Sequence, residues 1–219
     1  MDAIDRKIIS QLQLDGRTTL QELSKIIGFT SMGTKKRLDK LVKNGTIKFT
    51  ALVSPDALKL HPAIVMLEME SAEAMQELLD RFKDCPRVVQ IFKTIGGYNL
   101  IALVVAETQE TLESISTEKC SLRCSKGIRR SEFYPISDTY FSPFLQIREG
   151  LVHKEKKVTP CYVDCNLCNR YETQKCVGCP TTSNYKGTIF NDAGNNTING
   201  TVNLWGGAAT RFLFLMPEH

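Results

Sequence analysis

Apolar positions in the first fifty residues recur at helical spacing in three short runs. Ile4, Ile8 and Leu12, with Ile9, stripe one side of a helix over 3–14, and Asp2 and Asp5 stand at its N-terminal end, where negative charge is favoured. Asp15-Gly16 ends it. Leu20, Leu23, Ile26 and Ile27 make a second stripe, closed by Gly28. Thr30 or Ser31 caps a third helix by accepting a backbone N–H bond. That helix places Thr34, Leu38, Leu41 and Val42 on one face and Met32, Gly33, Lys35, Lys36, Lys40 and Lys43 on the other, and Asn44-Gly45 stops it. Three short helices in this order predict a helix-turn-helix whose last helix offers a basic, small-residue surface to a DNA groove. From Thr46 the period falls to two. Ile47, Phe49, Ala51 and Val53 alternate, which predicts a strand forming half of a small wing and a first unit over 1–54.

A different grammar follows. Strand-like runs at 63–70, 87–95, 99–106 and 128–136 alternate with helical stripes at 72–82 (Met75, Leu78, Leu79, Phe82) and 108–118 (Leu112, Ile115). The order β-α-β-β-α-β predicts a ferredoxin-like sandwich over 61–140, so the fold class is α+β. Ile101 to Val105 are apolar at successive positions, so both faces of the sheet need cover. A second copy of the chain is the simplest cover, and a homodimer is expected.

Charge sharpens this division. Residues 1–50 hold 10 Lys and Arg against 5 Asp and Glu, while 51–150 hold 11 against 14. Basic charge therefore collects on the helix-turn-helix, as a double-stranded DNA partner requires. No apolar run reaches membrane-span length and the first residues mix both charges with apolar side chains, so no membrane span or secretory signal is expected and a cytoplasmic location follows.

Beyond a connector at 141–160, five of the eight cysteines crowd into 161–183. The spacing is Cys161-x3-Cys165-x2-Cys168-x7-Cys176-x2-Cys179. Two Cys-x2-Cys pairs let two thiolates each reach one ion from a tight turn, which predicts a small metal knot. Cys165, Cys168, Cys176 and Cys179 are the expected ligands, with Cys161 an alternate ligand or a redox-responsive thiol. Zinc is the first choice, an iron–sulfur cluster the alternative, and structural disulfides the competing reading. Cys85, Cys120 and Cys124 read as buried or incidental thiols. Residues 184–219 turn rich in Asn, Gly and Thr and read equally as short strands or as a tail without regular structure; Asn199-Gly200 signals a hairpin.

The runs Ile4-Asp5-Arg6-Lys7-Ile8-Ile9, Asp15-Gly16-Arg17, Leu23-Ser24-Lys25-Ile26-Ile27-Gly28, Lys35-Lys36-Arg37-Leu38-Asp39-Lys40-Leu41 and Asn44-Gly45-Thr46-Ile47, joined to the β-α-β-β-α-β block, resemble the leucine-responsive/asparagine-regulator (Lrp/AsnC) family of transcription factors over roughly residues 2–140. The resemblance implies a regulator that dimerises, often to octamers, through its second domain. It also implies an amino acid or related small molecule bound near the glycine turn, here Gly96, Gly97, Tyr98 and Asn99. The family usually has an acidic residue where Asn99 stands.

Ser31, Met32 and Gly33, at the start of the third helix, are placed to approach base edges, and Lys35, Lys36, Arg37 and Lys40 to hold phosphates. The bland reading of those cations is a solvated helix face. No phosphate-loop, His-Glu-x-x-His or Gly-x-Ser-x-Gly motif occurs, and three histidines leave little acid–base machinery, so an enzyme is not expected. A non-specific architectural DNA protein and, further off, a cysteine-dependent redox enzyme are the alternatives.

Overall fold

The computed structural model describes residues 1–147, 156–187 and 189. Three helices come first: α1 (Ala3–Leu14), α2 (Leu20–Ile27) and α3 (Ser31–Lys43). Local chemistry starts each one. Asp2 and Thr19 form capping boxes with Asp5 and Glu22, and the Thr30 hydroxyl accepts from the Gly33 N–H at 3.1 Å. Gly28 ends α2 in the left-handed region at φ 72°, a conformation glycine adopts without Cβ strain, and this sets the turn into α3. The three helices share a small core of Ile8, Leu23, Ile27 and Leu41, with Ile4, Ile9, Leu12, Leu38 and Ile47 packed around it. Ile26 and Val42, expected on the buried stripes, face outward instead. Each lies at the edge of its stripe, and a core this small covers only the middle.

The expected wing strand is not formed. Residues 44–60 carry one isolated bridge, in which Val53 exchanges backbone bonds of 2.9 and 2.8 Å with Leu145. Ile47 and Val53 at the two ends pack against different clusters, while Phe49 and Ala51 between them are exposed, so the alternating face has no continuous buried surface within the chain.

The second unit runs β1 (His61–Met69), α4 (Ala72–Phe82), β2 (Val88–Lys93), β3 (Leu100–Ala106), α5 (Gln109–Thr117) and β4 (Ile128–Pro135). The strands form one antiparallel sheet in the order β2-β3-β1-β4. Burial alternates along β1, with Ala63, Val65, Leu67 and Met69 inward against the helices. Leu67, Leu78, Leu100 and Leu112 are essentially inaccessible, and each contributes about 2 kcal/mol by leaving water. Gly127 lets the approach to β4 pass close to α4: its φ is 75°, and a Cβ there would stand 2.4 Å from that of Ala74.

The connector and cysteine-rich segment fold back onto this unit. Leu60, Ile147 and Tyr185 are buried together, with Val53, Leu58, Val177 and Ile189 packed against them. Regular structure over 156–187 is slight: a single 3-10 turn at Cys165–Leu167 and α6 (Asn169–Glu172). The hairpin expected around Asn199-Gly200 lies outside the described residues, as does most of the Asn-rich tail.

Candidate functional site

On α3 the structure sorts the expected DNA-contacting residues into two groups. Ser31, Met32, Lys35, Lys36 and Lys40 are all exposed. Among the described residues, no carboxylate pairs with Lys35, Lys36 or Lys40 within 4 Å. Three uncompensated ammonium groups thus stand on one helix face, with Ser31 and Met32 leading it at the N-terminal end.

Arg37 and Gly33 are placed otherwise than expected. The Arg37 guanidinium turns back to α1, where it donates to Asp2 at 2.7 Å and Asp5 at 3.0 Å, and it lies 5.3 Å from the centre of the Phe29 ring. It staples α3 to the start of α1, and its charge is already answered. The hydrogen bonds it makes raise its pKa further, and the Asp5 N–H together with Arg37 holds the Asp2 carboxyl below its ordinary value. Gly33 is half-buried, and a Cβ there would come 3.2 Å from the Thr30 hydroxyl. Its role is to leave room for the cap.

The second candidate site lies at the turn between β2 and β3. Thr94 and Asn99 close it: the Thr94 N–H donates to the Asn99 carbonyl at 3.0 Å, and the Thr94 hydroxyl to the Tyr98 carbonyl. Asn99 is wholly engaged. Its amide accepts from the Met69 N–H at 2.8 Å and donates to the Met69 carbonyl at 2.9 Å, continuing the β1–β3 ladder with a side chain. Its amide is thereby anchored to the sheet at the edge of the turn where an effector contact was expected. Gly97 lies close under Arg130: a Cβ there would stand 3.2 Å from the guanidinium, which would have to shift slightly.

Tyr98 does face a constellation, supplied by β1 and β4. Its hydroxyl donates to Glu132, which also accepts from Tyr134. The Arg130 guanidinium lies 4.3 Å from the centre of the Tyr98 ring and 3.5 Å from Glu68. The two tyrosine hydroxyls hold the Glu132 carboxyl below its ordinary range, and that carboxylate raises both tyrosine pKa values in return. The sequence reading missed Glu68, Arg130, Glu132 and Tyr134. A signal was present: Arg130, Glu132 and Tyr134 fall at i, i+2 and i+4 of one strand, which puts them on one face. Register supplies the rest, with Glu68 opposite Arg130 and Met66 opposite Glu132.

Further along the same outward face, β1 and β3 carry Ile64, Met66, Ile101 and Leu103, all half-buried, and β2 adds Phe92, 46 % exposed.

The cysteines of the C-terminal segment border two adjoining hollows. Cys161, Cys165, Cys176 and Cys179 line one cavity, and Cys168 is not among its lining residues. Burial pushes the Cys165 thiol up to about 11, and likewise that of Cys85 on the sandwich side of the same cavity. Cys120 also lines it, whereas Cys124 is exposed and not buried. Among the described residues, no helix is long and apolar enough to cross a membrane.

A basic helix-turn-helix followed by an antiparallel four-stranded sandwich with a polar cluster beside a glycine turn defines a DNA-binding protein with a separate ligand-binding unit. Comparison with known proteins agrees. Residues 1–48 match the winged helix-turn-helix DNA-binding family, and residues 62–143 the Lrp/AsnC ligand binding domain. The HTH-type transcriptional regulator FL11 of Pyrococcus horikoshii is 33 % identical over 115 residues, which cover 52 % of this chain and 76 % of that protein. The crystal structure of PH0061 superimposes with a TM-score of 0.59 at 26 % identity, covering 64 % of this chain and 94 % of that one. The structure of E. coli AsnC shares the fold, with a TM-score of 0.57 at 21 % identity, covering 65 % and 95 %. The chain belongs to the Lrp/AsnC family of helix-turn-helix transcriptional regulators, and it is a sequence-specific DNA-binding regulator responding to an effector. The cysteine-rich segment lies beyond the matched residues.

Proposed function

We propose that this regulator holds DNA through Lys35, Lys36 and Lys40, reads bases through Ser31 and Met32, and works as a homodimer joined across the outward sheet face. The observation that carries the DNA contact is the uncompensated lysine face of α3, exposed beside the Thr30 cap. Phosphates are the natural partners of such a face, because each neutralised phosphate releases condensed counterions. The half-buried row Ile64, Met66, Ile101 and Leu103 is the surface a second copy would cover, and two-fold symmetry would impose a pseudo-palindromic site.

The effector reading rests on Arg130 and Glu132. They carry opposite charges two residues apart on one face of β4, next to Gly97 and Tyr98. That spacing suits a zwitterion: the guanidinium answers a carboxylate and Glu132 an ammonium, which fits an amino acid or a close relative. Both groups already have partners, Arg130 with Glu68 and Glu132 with two tyrosines, so a ligand exchanges contacts and shifts a balance of conformers or assemblies.

Binding of the full chain to a selected site, measured across salt concentrations, tests the DNA contact. Lys36→Ala is expected to weaken binding to all sequences and flatten the salt slope by about 1. Met32 substitutions are expected to change which bases are preferred. Affinity that ignores salt, or a Lys36→Ala protein with wild-type slope, would overturn the assignment. Sedimentation showing a monomer at working concentration would remove the dimer.

A further inference from the structure

The cysteine-rich segment is the motif that DNA binding leaves without a task. Spacing alone favoured the two Cys-x2-Cys pairs, and the fold brings Cys161 beside three of those four thiols. Cys161, Cys165, Cys176 and Cys179 line a cavity of about 60 Å³ whose other wall is Val65, Phe82 and Val104 of the sandwich. Cys161 and Cys176 are buried. Cys168 lies outside this cavity, on an adjoining surface groove that Cys165 and Cys176 also border, with Tyr162 and Leu167 both more than three-quarters exposed.

Two polar features border these sulfurs. The Cys179 Sγ lies 3.2 Å from the Thr181 hydroxyl. A hydroxyl at that distance can fix the direction of the sulfur, as the outer contacts of metal ligands do. The second feature is Arg87. It donates to the Gly178 carbonyl at 2.7 Å, inside the Cys176–Cys179 turn.

We propose that Cys161, Cys165, Cys176 and Cys179 bind one soft divalent ion, zinc above others, between the cysteine-rich segment and the sandwich, with Cys168 outside the ligand set. Four thiolates make a closed tetrahedral site of the structural kind. In binding, four S–H bonds give way to four S–metal bonds and the protons pass to solvent. Among the described residues, no three potential ligands are drawn together closely enough to hold an ion. Binding therefore pulls the Cys161 turn and the Cys176–Cys179 turn inward, and it tightens the segment on the sheet. The proposal is independent of the DNA contact.

The test uses the full chain, purified without oxygen under reductant. Its metal content is measured, and cobalt(II) is titrated in to read the thiolate charge-transfer absorption. One ion per chain is expected, displaced by zinc. Cys161→Ser and Cys176→Ser should lose stoichiometric binding, whereas Cys168→Ser and Cys85→Ser should keep it with an unchanged spectrum. Wild-type protein gives a reading that no misfolded variant can confuse. Alkylation followed by peptide mass spectrometry should show that zinc protects Cys161, Cys165, Cys176 and Cys179 and leaves Cys168 at its metal-free rate. Zinc protection of Cys168 equal to the others, absence of any bound ion, or brown protein containing acid-labile sulfide would each overturn the proposal.

Discussion

The helix-turn-helix and the cysteine-rich segment are both too small for a large core, and they are held in opposite ways. Residues 3–43 bury Ile8, Leu23, Ile27 and Leu41 among themselves and start all three helices with capping side chains. Residues 156–187 have no comparable store. Val158, Tyr162 and Leu167 are exposed, and the regular structure amounts to one 3-10 turn and four residues of helix. What holds this segment is mostly polar and mostly borrowed. Arg81 donates to the Cys161 carbonyl at 3.2 Å and Arg87 to that of Gly178. The Val177 N–H donates to Thr111 at 3.3 Å, and Ser114 to the Lys175 carbonyl at 3.1 Å. Arg170 reaches back to Ser114, Glu110 and Glu113 on α5. The first unit carries its own reason to fold, whereas the second is shaped by what it docks against.

That contrast can be broken hardest at Arg87. Its guanidinium and the Glu107 carboxylate are 8 % and 4 % exposed and stand 2.8 Å apart. Burial alone would lower the Arg87 pKa; Glu107 and the neighbouring thiols reverse this and raise it. Arg87→Met leaves Glu107 buried without its partner and is expected to cost about 3–5 kcal/mol in chemical denaturation. The cysteine-rich segment should become open to proteolysis at the same time. DNA affinity of the folded fraction should stay unchanged, because α1 to α3 do not draw on this pair.

Leu23→Ala tests the other side. The side chain is 1 % exposed at the centre of the small core, so truncation should cost the helix-turn-helix about 3 kcal/mol. DNA binding should fall with it, while the sandwich keeps its melting transition. Loss of both transitions together would mean that the two units fold as one.

The smallest effect is electrostatic and confined to the start of α1. Asp2 has its pKa lowered from 3.8, first by the Asp5 N–H and then by Arg37. A depressed carboxylate stabilises the fold above its ordinary value and loses that contribution as pH falls through the folded value. Asp2→Asn keeps a capping group but gives up the charge. Its thermal stability should therefore fall below wild type at neutral pH and converge with it below 3.8. A difference that persists in acid would assign the effect to packing.

The element types and their order were legible in the sequence, because periodicity and capping act within a few residues. Ala3–Leu14 and Ala72–Phe82 emerged with the bounds their stripes predict, and Thr30 caps α3 as one of the two candidates. The basic face of α3 was visible for the same reason, since residues three and four apart share a side. Tertiary structure decided every pairing across distance. It turned Arg37 away from the DNA face to meet Asp2 and Asp5, more than thirty residues back. It spent Asn99 on the Met69 backbone, and it brought Arg130, Glu132 and Tyr134 from the last strand to the glycine turn. The wing strand failed because alternation specifies a strand only where a neighbouring edge accepts its backbone bonds. The cysteine spacing marked a thiol-rich turn, but spacing cannot say which sulfurs face inward. What each sulfur meets is set by Arg87 and the sheet, which stand far earlier in the chain and against which the segment packs.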